Sequence, residues 1–299
     1  MSGNAWIDGR NDRHISSLPR QKEQPKMTRI ELSQDEDNRL RSHTSDGFVL
    51  RYASVRSSES RDRDQPNQDF VSFAIGSGSL TFAVCDGVGQ SFYGDLAARF
   101  LGRRLQGWLE NELDFLLNQE NLAENLTAFL DGLTGQATEE VEAVAIPPDL
   151  PDLLREVLEE KRQLGSETTF ACGRVELPRD DLPAGRLLLS WLGDVRLRLG
   201  EPHTWGKHVM EIAEGIPGRW SSARGLVRGA LHLTLQPLAS DDSTVLRNIL
   251  VYTDGLKPLD KITEPLSDND INDLIIKTSM SSQDDDYSIL EIEIGDRIA

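Results

Sequence analysis

The stretch SLTFAVCDGVGQSFYGDLAA, residues 79–98, decides how the rest of the chain is interpreted. It begins as an apolar run of strand type and ends in an acidic turn at Asp86-Gly87. Apolar residues then recur at three- and four-residue steps from Leu96 to Leu116, which predicts an amphipathic helix of about five or six turns. Because glycine lets backbone approach a ligand closely, the Gly87 carbonyl can face a metal ion.

Four further acidic signatures occur along the chain. They are Asn67-Gln68-Asp69, Gly193-Asp194, Asp254-Gly255 and the run DDDYS at residues 284–288. Most of them lie directly beside an apolar run of strand type. Strand ends are fixed points, so carboxylates held there can converge on one hard cation. A single Asp-Gly pair is also an ordinary turn signal, so only the convergence of the whole set indicates a site.

The chemistry that this set would support is that of divalent metal ions. Oxygen ligands select hard cations, chiefly magnesium or manganese in a cell. Two such ions close together can activate a bridging water and stabilise the charge that builds on a phosphoryl group. Without cations, this many carboxylates in a protein core would repel one another. The sequence therefore predicts a metal centre wherever these side chains converge.

Composition excludes several classes of protein. The chain has 299 residues, of which 50 are acidic and 32 basic, and its formal net charge is −18. This balance argues against a nucleic-acid partner and against an anionic membrane surface. Cys85 and Cys172 lie in apolar runs, which predicts buried free thiols. Neither a secretory signal nor an apolar run of membrane-spanning length is visible, so we expect a cytoplasmic protein.

The order of patterns along the chain predicts its organisation. Residues 1–46 are polar and lack a sustained period, which predicts a disordered or loosely ordered extension. Residues 47–297 contain strands, then helices, then more strands, which is typical of a layered α+β domain. The last run, YSILEIEI at residues 287–294, alternates and predicts a strand with one wet face.

The order of these signatures resembles the metal-dependent protein serine/threonine phosphatases, the PPM or type 2C family, in its bacterial form. The resemblance runs from about Phe48 to Ile294. The matching elements are Asn67-Gln68-Asp69, DGVGQSFYGDLAA at residues 86–98, GSETTF at residues 165–170, Gly193-Asp194 with Arg196, Asp254-Gly255, and DDYS at residues 285–288. The fold that this resemblance implies is a four-layer α-β-β-α sandwich, with two packed antiparallel sheets flanked by helices.

The resemblance also implies roles for individual residues. Asp86, Asp254 and Asp285 would be the catalytic carboxylates of a binuclear Mg²⁺ or Mn²⁺ centre, with Asp86 bridging the ions. The remaining implied metal contacts are the Gly87 carbonyl, Asp69 through water, and Asp194 at a third, weaker ion. The implied reaction is in-line attack of a metal-activated water on phosphoserine or phosphothreonine in a protein. A phosphoprotein substrate follows, with a Ser/Thr kinase as one candidate.

The chain departs from the family pattern at the phosphate-binding position. Family members usually place an arginine five residues before the Asp of the Asn-x-Asp motif, and this chain has Asp64 there. Arg63 is the candidate substitute, with Arg61 as an alternative, although exposed surface charge is an equal interpretation of both. Gln90 stands where eukaryotic relatives place a histidine, and no histidine lies near a carboxylate motif.

Two other readings of the sequence follow from these departures. The first is a catalytically weak or inactive pseudophosphatase that binds or regulates phosphoproteins. The second is a purely structural acidic metal-binding domain, which leaves the GSETTF and Gly-Asp-x-Arg elements without a purpose. Residues 201–228 do not match the usual family pattern, and the part GIPGRWSSARGLVRG at residues 215–229 is locally basic through Arg219, Arg224 and Arg228. This part is either a substrate-facing loop or a divergent connection.

Overall fold

A computed structural model describes residues 27–111, 121–206, 218–239, 245–279 and 285–295 of the chain. The described strands form two antiparallel sheets. The large sheet contains β1 (Thr28–Glu31), β4 (Phe70–Gly76), β5 (Ser79–Gly87), β6 (Glu167–Glu176), β7 (Arg186–Leu192) and β11 (His232–Gln236) in that spatial order, with β9 (Arg219–Ser221) beside β6 and β10 (Gly225–Val227) beside β9. The small sheet contains β2 (Asn38–Ser45), β3 (Phe48–Val55), β13 (Tyr287–Ile294), β12 (Asn248–Tyr252) and β8 (Arg196–Gly200) in that order.

Helices cover the outer faces of both sheets. The described helices are α1 (Ser58–Asp62), α2 (Gly94–Asn111), α3 (Leu122–Gly132), α4 (Thr134–Glu142), α5 (Asp152–Leu164) and α6 (Asp268–Ser279), with a 3₁₀ segment at Asp254–Lys261. The helix predicted from residue 96 is α2, and the part of that prediction from residue 112 onward lies outside the described residues. None of the described helices is long and apolar enough to cross a membrane.

Alternation along the strands divides the apolar residues between two layers of core. Along β5, Leu80, Phe82 and Val84 belong to the core between the two sheets. Ala83 and Cys85 point the other way and pack with α2. This is the period of two expected for a strand buried on both faces. Cys85 is therefore buried and unpaired, as predicted, and so is Cys172.

The outer cores complete the layers. Apolar residues of α2, α3 and α4 pack on the large sheet, and those of the 3₁₀ segment and α6 pack on the small sheet. Each sheet thus has one face against the other sheet and one face against helices. The predicted four-layer α-β-β-α sandwich is confirmed.

The prediction that residues 1–46 form a loosely ordered extension is wrong for its last part. Thr28–Glu31 pairs with β4, and Asn38–Ser45 pairs with β3, so both segments are strands of the sheets. Both lie at sheet edges and are largely exposed, so their side chains are polar and show no clear hydrophobic period. Backbone pairing holds them, and composition does not reveal backbone pairing. Residues 1–26 lie outside the described residues.

The predicted wet face of β13 is also corrected. Tyr287 and Ile289 are buried beneath the 3₁₀ segment and α6, and Glu293 is the exposed residue of this strand. Glu291 is buried as well, where it accepts hydrogen bonds from Arg51 Nε at 2.7 Å and Trp205 Nε1 at 2.6 Å. Burial raises the pKa of Glu291, and these two donors oppose that rise. The residues of β13 do alternate between two faces, but the 3₁₀ segment and α6 cover the face that was predicted to be exposed.

Two glycines of α2 are expected to respond in opposite ways to alanine. A Cβ at Gly102 would lie 2.2 Å from Phe70 Cδ1, whereas a Cβ at Gly107 would have no atom within 4 Å. Gly107→Ala should raise the free energy of unfolding by about 0.5–1 kcal/mol, because alanine favours helix. Gly102→Ala should lower it by about 1–3 kcal/mol through overpacking. Urea denaturation measures both, and a shift of the same sign in the two variants would contradict this packing.

Candidate metal centre

The strand register brings the acidic signatures to one end of the sandwich. Phe70 pairs with Cys85, so the start of β4 lies beside the end of β5. Asp69 immediately precedes β4, and Asp86 is the second-last residue of β5, so the two acidic residues lie at the same end of the large sheet. This proximity follows from an antiparallel hairpin, in which one strand begins where its neighbour ends.

The other signatures reach the same end from different strands. Asp194 follows β7, whose last residue pairs with Phe170 on β6, next to the Thr169 that faces Asp86. In the small sheet, Asp254 follows β12 and Asp285 precedes β13, and these two strands are antiparallel neighbours. The five carboxylates thus come from five separate chain segments and two sheets.

These side chains line one cavity of about 380 Å³. The predicted residues among its lining are Asp69, Asp86, Gly87, Asp194, Asp254 and Asp285. The cavity lining that the sequence did not single out as site residues is Gln68, Val88, Gly89, Gln90, Thr169, Arg219 and Asp286. All six predicted metal-site residues are therefore brought together, and their roles as ligands stay predictions.

Asp86 lies at the centre of this set electrostatically. Its removal from bulk water, followed by the charges of Asp69, Asp254, Asp194 and Asp285 in that order, raises the pKa of Asp86 well above its usual range. Burial and the charge of Asp286 likewise raise the pKa of Asp69. Each carboxylate thus opposes the ionisation of its neighbours, and a bound cation would relieve that repulsion.

The donor set matches a hard cation, although no ready-made coordination sphere is present. Within the described ranges, no three histidine, cysteine, aspartate or glutamate side chains are arranged as ligands of one metal ion. The lining carboxylates offer only oxygen atoms, which suit magnesium or manganese. The residues present therefore fit such ions in chemistry and in sharing a cavity.

Hydrogen bonds fix the loop that carries Asp69. Thr253 Oγ1 donates to Asp69 Oδ2 at 2.8 Å, and the Asp69 amide donates to Asn67 Oδ1 at 2.7 Å. Gln34, from the segment predicted to be an extension, donates through Nε2 to the Asn67 carbonyl at 3.0 Å and the Asp69 carbonyl at 3.1 Å. The N-terminal segment therefore helps to shape the site, and nothing in its composition signals this.

Asp286 also positions the loop that carries Asp69, by binding two backbone amides. Its two carboxylate oxygens accept from the amides of Ser57 and Gln68, each at 2.6 Å. One buried side chain thereby joins the start of α1 to the Asn67–Asp69 loop. The sequence predicted the neighbouring Asp285 as a site residue, whereas the contacts of Asp286 are visible only in the folded structure.

Close packing of glycines shapes the cavity wall. A Cβ at Gly87 would lie 2.5 Å from the carbonyl carbon of Gly94, at the start of α2. Gly193 has φ of +93°, and a Cβ there would lie 2.4 Å from Thr169 Cγ2. Glycine is needed at both positions, at the first for close backbone approach and at the second for a left-handed conformation as well.

Arg196 of the Gly-Asp-x-Arg element binds the backbone of the turn that carries Asp194. Its Nη1 donates to the Asp194 carbonyl, and its Nε lies 3.7 Å from Asp260 Oδ1. It thus holds the turn that presents Asp194 and does not line the cavity.

The predicted phosphate-binding arginine does not reach this cavity. Arg63 is an exposed residue of the turn after α1 and forms an ion pair with Glu59 at 2.6 Å. It lines a neighbouring cavity, which shares Gln68, Gly89 and Asp285 with the first. Asp64 is exposed with φ of +52°, a left-handed conformation that aspartate tolerates after a helix. Neither Arg63 nor Asp64 therefore lines the carboxylate cavity.

Similarity to known proteins is detected through structure. No protein-family profile and no curated protein sequence matches the chain. The crystal structure of serine-threonine phosphatase 2C from Toxoplasma gondii aligns with a TM-score of 0.52 and 11% identity, covering 90% of this chain and 99% of that one. The chain has the type 2C phosphatase fold. The resemblance noted in the sequence is thus confirmed at the level of the fold.

Other serine/threonine phosphatases align with lower TM-scores. The catalytic domain of PstP, solved in complex with two manganese ions, gives a TM-score of 0.46 at 19% identity, covering 83% of this chain and 100% of that one. Stp1 from Staphylococcus aureus gives 0.42 at 13% identity, covering 97% and 100%. In the type 2C fold of this chain, the carboxylate cavity lies at one end of the paired sheets, where strands of both sheets begin or end.

Proposed function

We propose that this chain is a protein serine/threonine phosphatase that hydrolyses phosphoserine and phosphothreonine with divalent metal ions. The observation that carries the proposal is the convergence of five carboxylates from five chain segments in one cavity. The Toxoplasma protein of the same fold is named a serine-threonine phosphatase, which agrees with it. A cytoplasmic location and a kinase among the substrates remain predictions.

The residues of the cavity would have different roles in this reaction. Asp86, Asp254 and Asp285, with the Gly87 carbonyl, would hold two magnesium or manganese ions, Asp69 would contact one of them through water, and Asp194 would hold a third. Such ions, when bound, supply an activated water and stabilise the charge that develops on the phosphoryl group. Thr253, Asn67 and Asp286 keep the carboxylate-bearing loops in place through the hydrogen bonds described above. No histidine lines the described part of the cavity, so proton donation to the leaving oxygen has no imidazole source there.

A pseudophosphatase is the second candidate function. The observation that favours it is the acidic lining of the cavity combined with the position of Arg63, which pairs with Glu59 outside the cavity. A phosphate dianion would be repelled by carboxylates that bound cations do not neutralise. With cations bound, such a protein would bind phosphoproteins with little turnover.

Metal addition is expected to produce both activity and stability. With manganese, the purified chain should release phosphate from a phosphothreonine peptide, and chelator should abolish that release. Because the ions bind the folded state, we expect about 2.7 kcal/mol of added stability when free metal is 100 times its dissociation constant. Phosphate release and the thermal midpoint Tm measure the two effects in one preparation.

The outcomes separate the candidate functions. Turnover with a metal-dependent rise in Tm supports the phosphatase. Metal and phosphopeptide binding by calorimetry without turnover supports the pseudophosphatase. Absence of metal binding would refute the metal-dependent phosphatase.

A further inference from the structure

The carboxylate cavity has a source of positive charge that the motifs do not indicate. Among the described residues that line it, Arg219 alone carries a cationic side chain. Arg219 is the first residue of β9 and is about one-quarter exposed. A phosphoryl group carries negative charge and accepts several hydrogen bonds, and a guanidinium matches it with a planar fork of donors.

The sheet places Arg219 next to the strand that faces Asp86. Strand β7 pairs with β6 from Phe170 onward, and β9 takes over the same edge of β6 at Glu167 and Thr168. Continuing that register brings Arg219 to the level of Thr169, the cross-strand partner of Asp86. The end of β7 thus leaves room for β9 to present a cation at the cavity.

A buried carboxylate orients this cation. Arg219 Nε lies 2.8 Å from Glu167 Oε2, and Arg224 Nη2 contacts the other oxygen, Glu167 Oε1. The Glu167 side chain is only 7% exposed, so it forms a fixed anchor. Two arginines and one glutamate leave the group with a net charge of +1. The approach of Arg219 Nε to Glu167 is an ion pair without an aligned hydrogen bond, and a guanidinium has five N–H donors that can serve an anionic ligand.

We propose that Arg219, oriented by Glu167, binds the phosphoryl group of the substrate in this chain. This rests on the proposed phosphatase function and deepens it. Arg219 would take the place of the arginine that the family pattern has in the turn before Asn67. In this chain that turn has an exposed Asp64, and its Arg63 pairs with Glu59. Recognition of the phosphate is thereby moved to the edge of β6.

The test compares three variants of the full chain in magnesium. Arg219→Gln removes the charge, Arg219→Lys keeps it without the fork, and Arg228→Gln removes an exposed arginine outside the cavity. The measurements are kcat and KM on a phosphothreonine peptide, the inhibition constant of inorganic phosphate, and calorimetric binding of inorganic phosphate. Circular dichroism and Tm establish that each variant is folded.

Arg219→Gln should raise both KM and the phosphate inhibition constant by about tenfold or more, because a binding contact is lost while the chemical step keeps its groups. Arg219→Lys should fall between wild type and Arg219→Gln. Arg228→Gln should match wild type. If Arg219→Gln misfolds, the Arg219→Lys result decides, and wild-type values in it overturn the inference.

Failure of this inference and failure of the proposed function give different results. Normal wild-type turnover with equal KM in Arg219→Gln and Arg228→Gln overturns the role of Arg219 and leaves the phosphatase standing. If wild type shows no turnover, phosphate calorimetry still decides. Binding that is lost in Arg219→Gln supports the phosphate site, and binding that is absent from wild type or retained in Arg219→Gln overturns it.

Discussion

Asp86→Asn is expected to lower metal-dependent turnover by at least about 10²–10³-fold, since it removes the central charge among the groups that would hold the ions. Asparagine is close to aspartate in size, so the fold should persist. In metal-free protein the same change should leave Tm equal or higher, because burial and four neighbouring carboxylates oppose the ionisation of Asp86. Added metal should then raise Tm less than it does in wild type.

The combination of lower turnover with an equal or higher metal-free Tm would show that Asp86→Asn acts at the site and not on the fold. A change that merely damaged the fold would lower turnover and metal-free Tm together. Asp273→Asn, on the exposed surface of α6, is the matched control and should leave both quantities unchanged. Retention of more than about one tenth of wild-type turnover in Asp86→Asn would contradict a central role for this carboxylate in the proposed chemistry.

Gly87→Ala is expected to have the second-largest effect, although it alters no candidate ligand side chain. The added Cβ would lie 2.5 Å from Gly94 C, 2.6 Å from Gly94 O and 2.7 Å from Gln68 O, all of them backbone atoms. The loop before α2 or the Asn67–Asp69 loop must then move. We expect a loss of about 1–3 kcal/mol in the free energy of unfolding. A shift of about 1 Å in the groups at the site can cost on the order of 10²-fold in turnover.

Gly89→Ala provides the comparison for Gly87→Ala. Its Cβ would first meet Gln68 Oε1 at 3.2 Å, the far end of a flexible side chain that can turn away. Its effects on stability and turnover should therefore be much milder than those of Gly87→Ala. Urea denaturation and phosphopeptide turnover measure both variants, and equal losses in the two would show that the close approach of Gly87 to Gly94 is not the cause.

Much of the fold could be predicted because local patterns reflect burial. The run at residues 79–87 is apolar on both faces, and β5 is indeed buried between the other sheet and α2. The edge strands could not be predicted in the same way. Residues 38–45 are mostly polar and partly exposed, and their place in the small sheet depends on backbone pairing with β3. Side-chain pattern carries little information about such pairing.

The candidate site shows the same division between local and distant information. The six predicted metal-site residues all line the cavity, since strand ends of an antiparallel sandwich meet at its rims. The predicted phosphate contact at Arg63 does not line it. Spacing along the chain suggested Arg63, whereas the direction of a side chain in a turn depends on the turn conformation and on nearby charges such as Glu59.

The sequence by itself determined which oxygen-bearing groups this protein can offer a metal ion and which strands present them. A carboxylate at the end of an apolar run is a local feature, and such features can be recognised from the sequence alone. Only the tertiary structure decided that Gln34 supports the Asp69 loop, that Asp286 joins the start of α1 to that loop, and that Arg219 is the cationic side chain among the described residues of the cavity lining. Those contacts join residues distant in sequence through strand register, which is set by the packing of the whole sandwich.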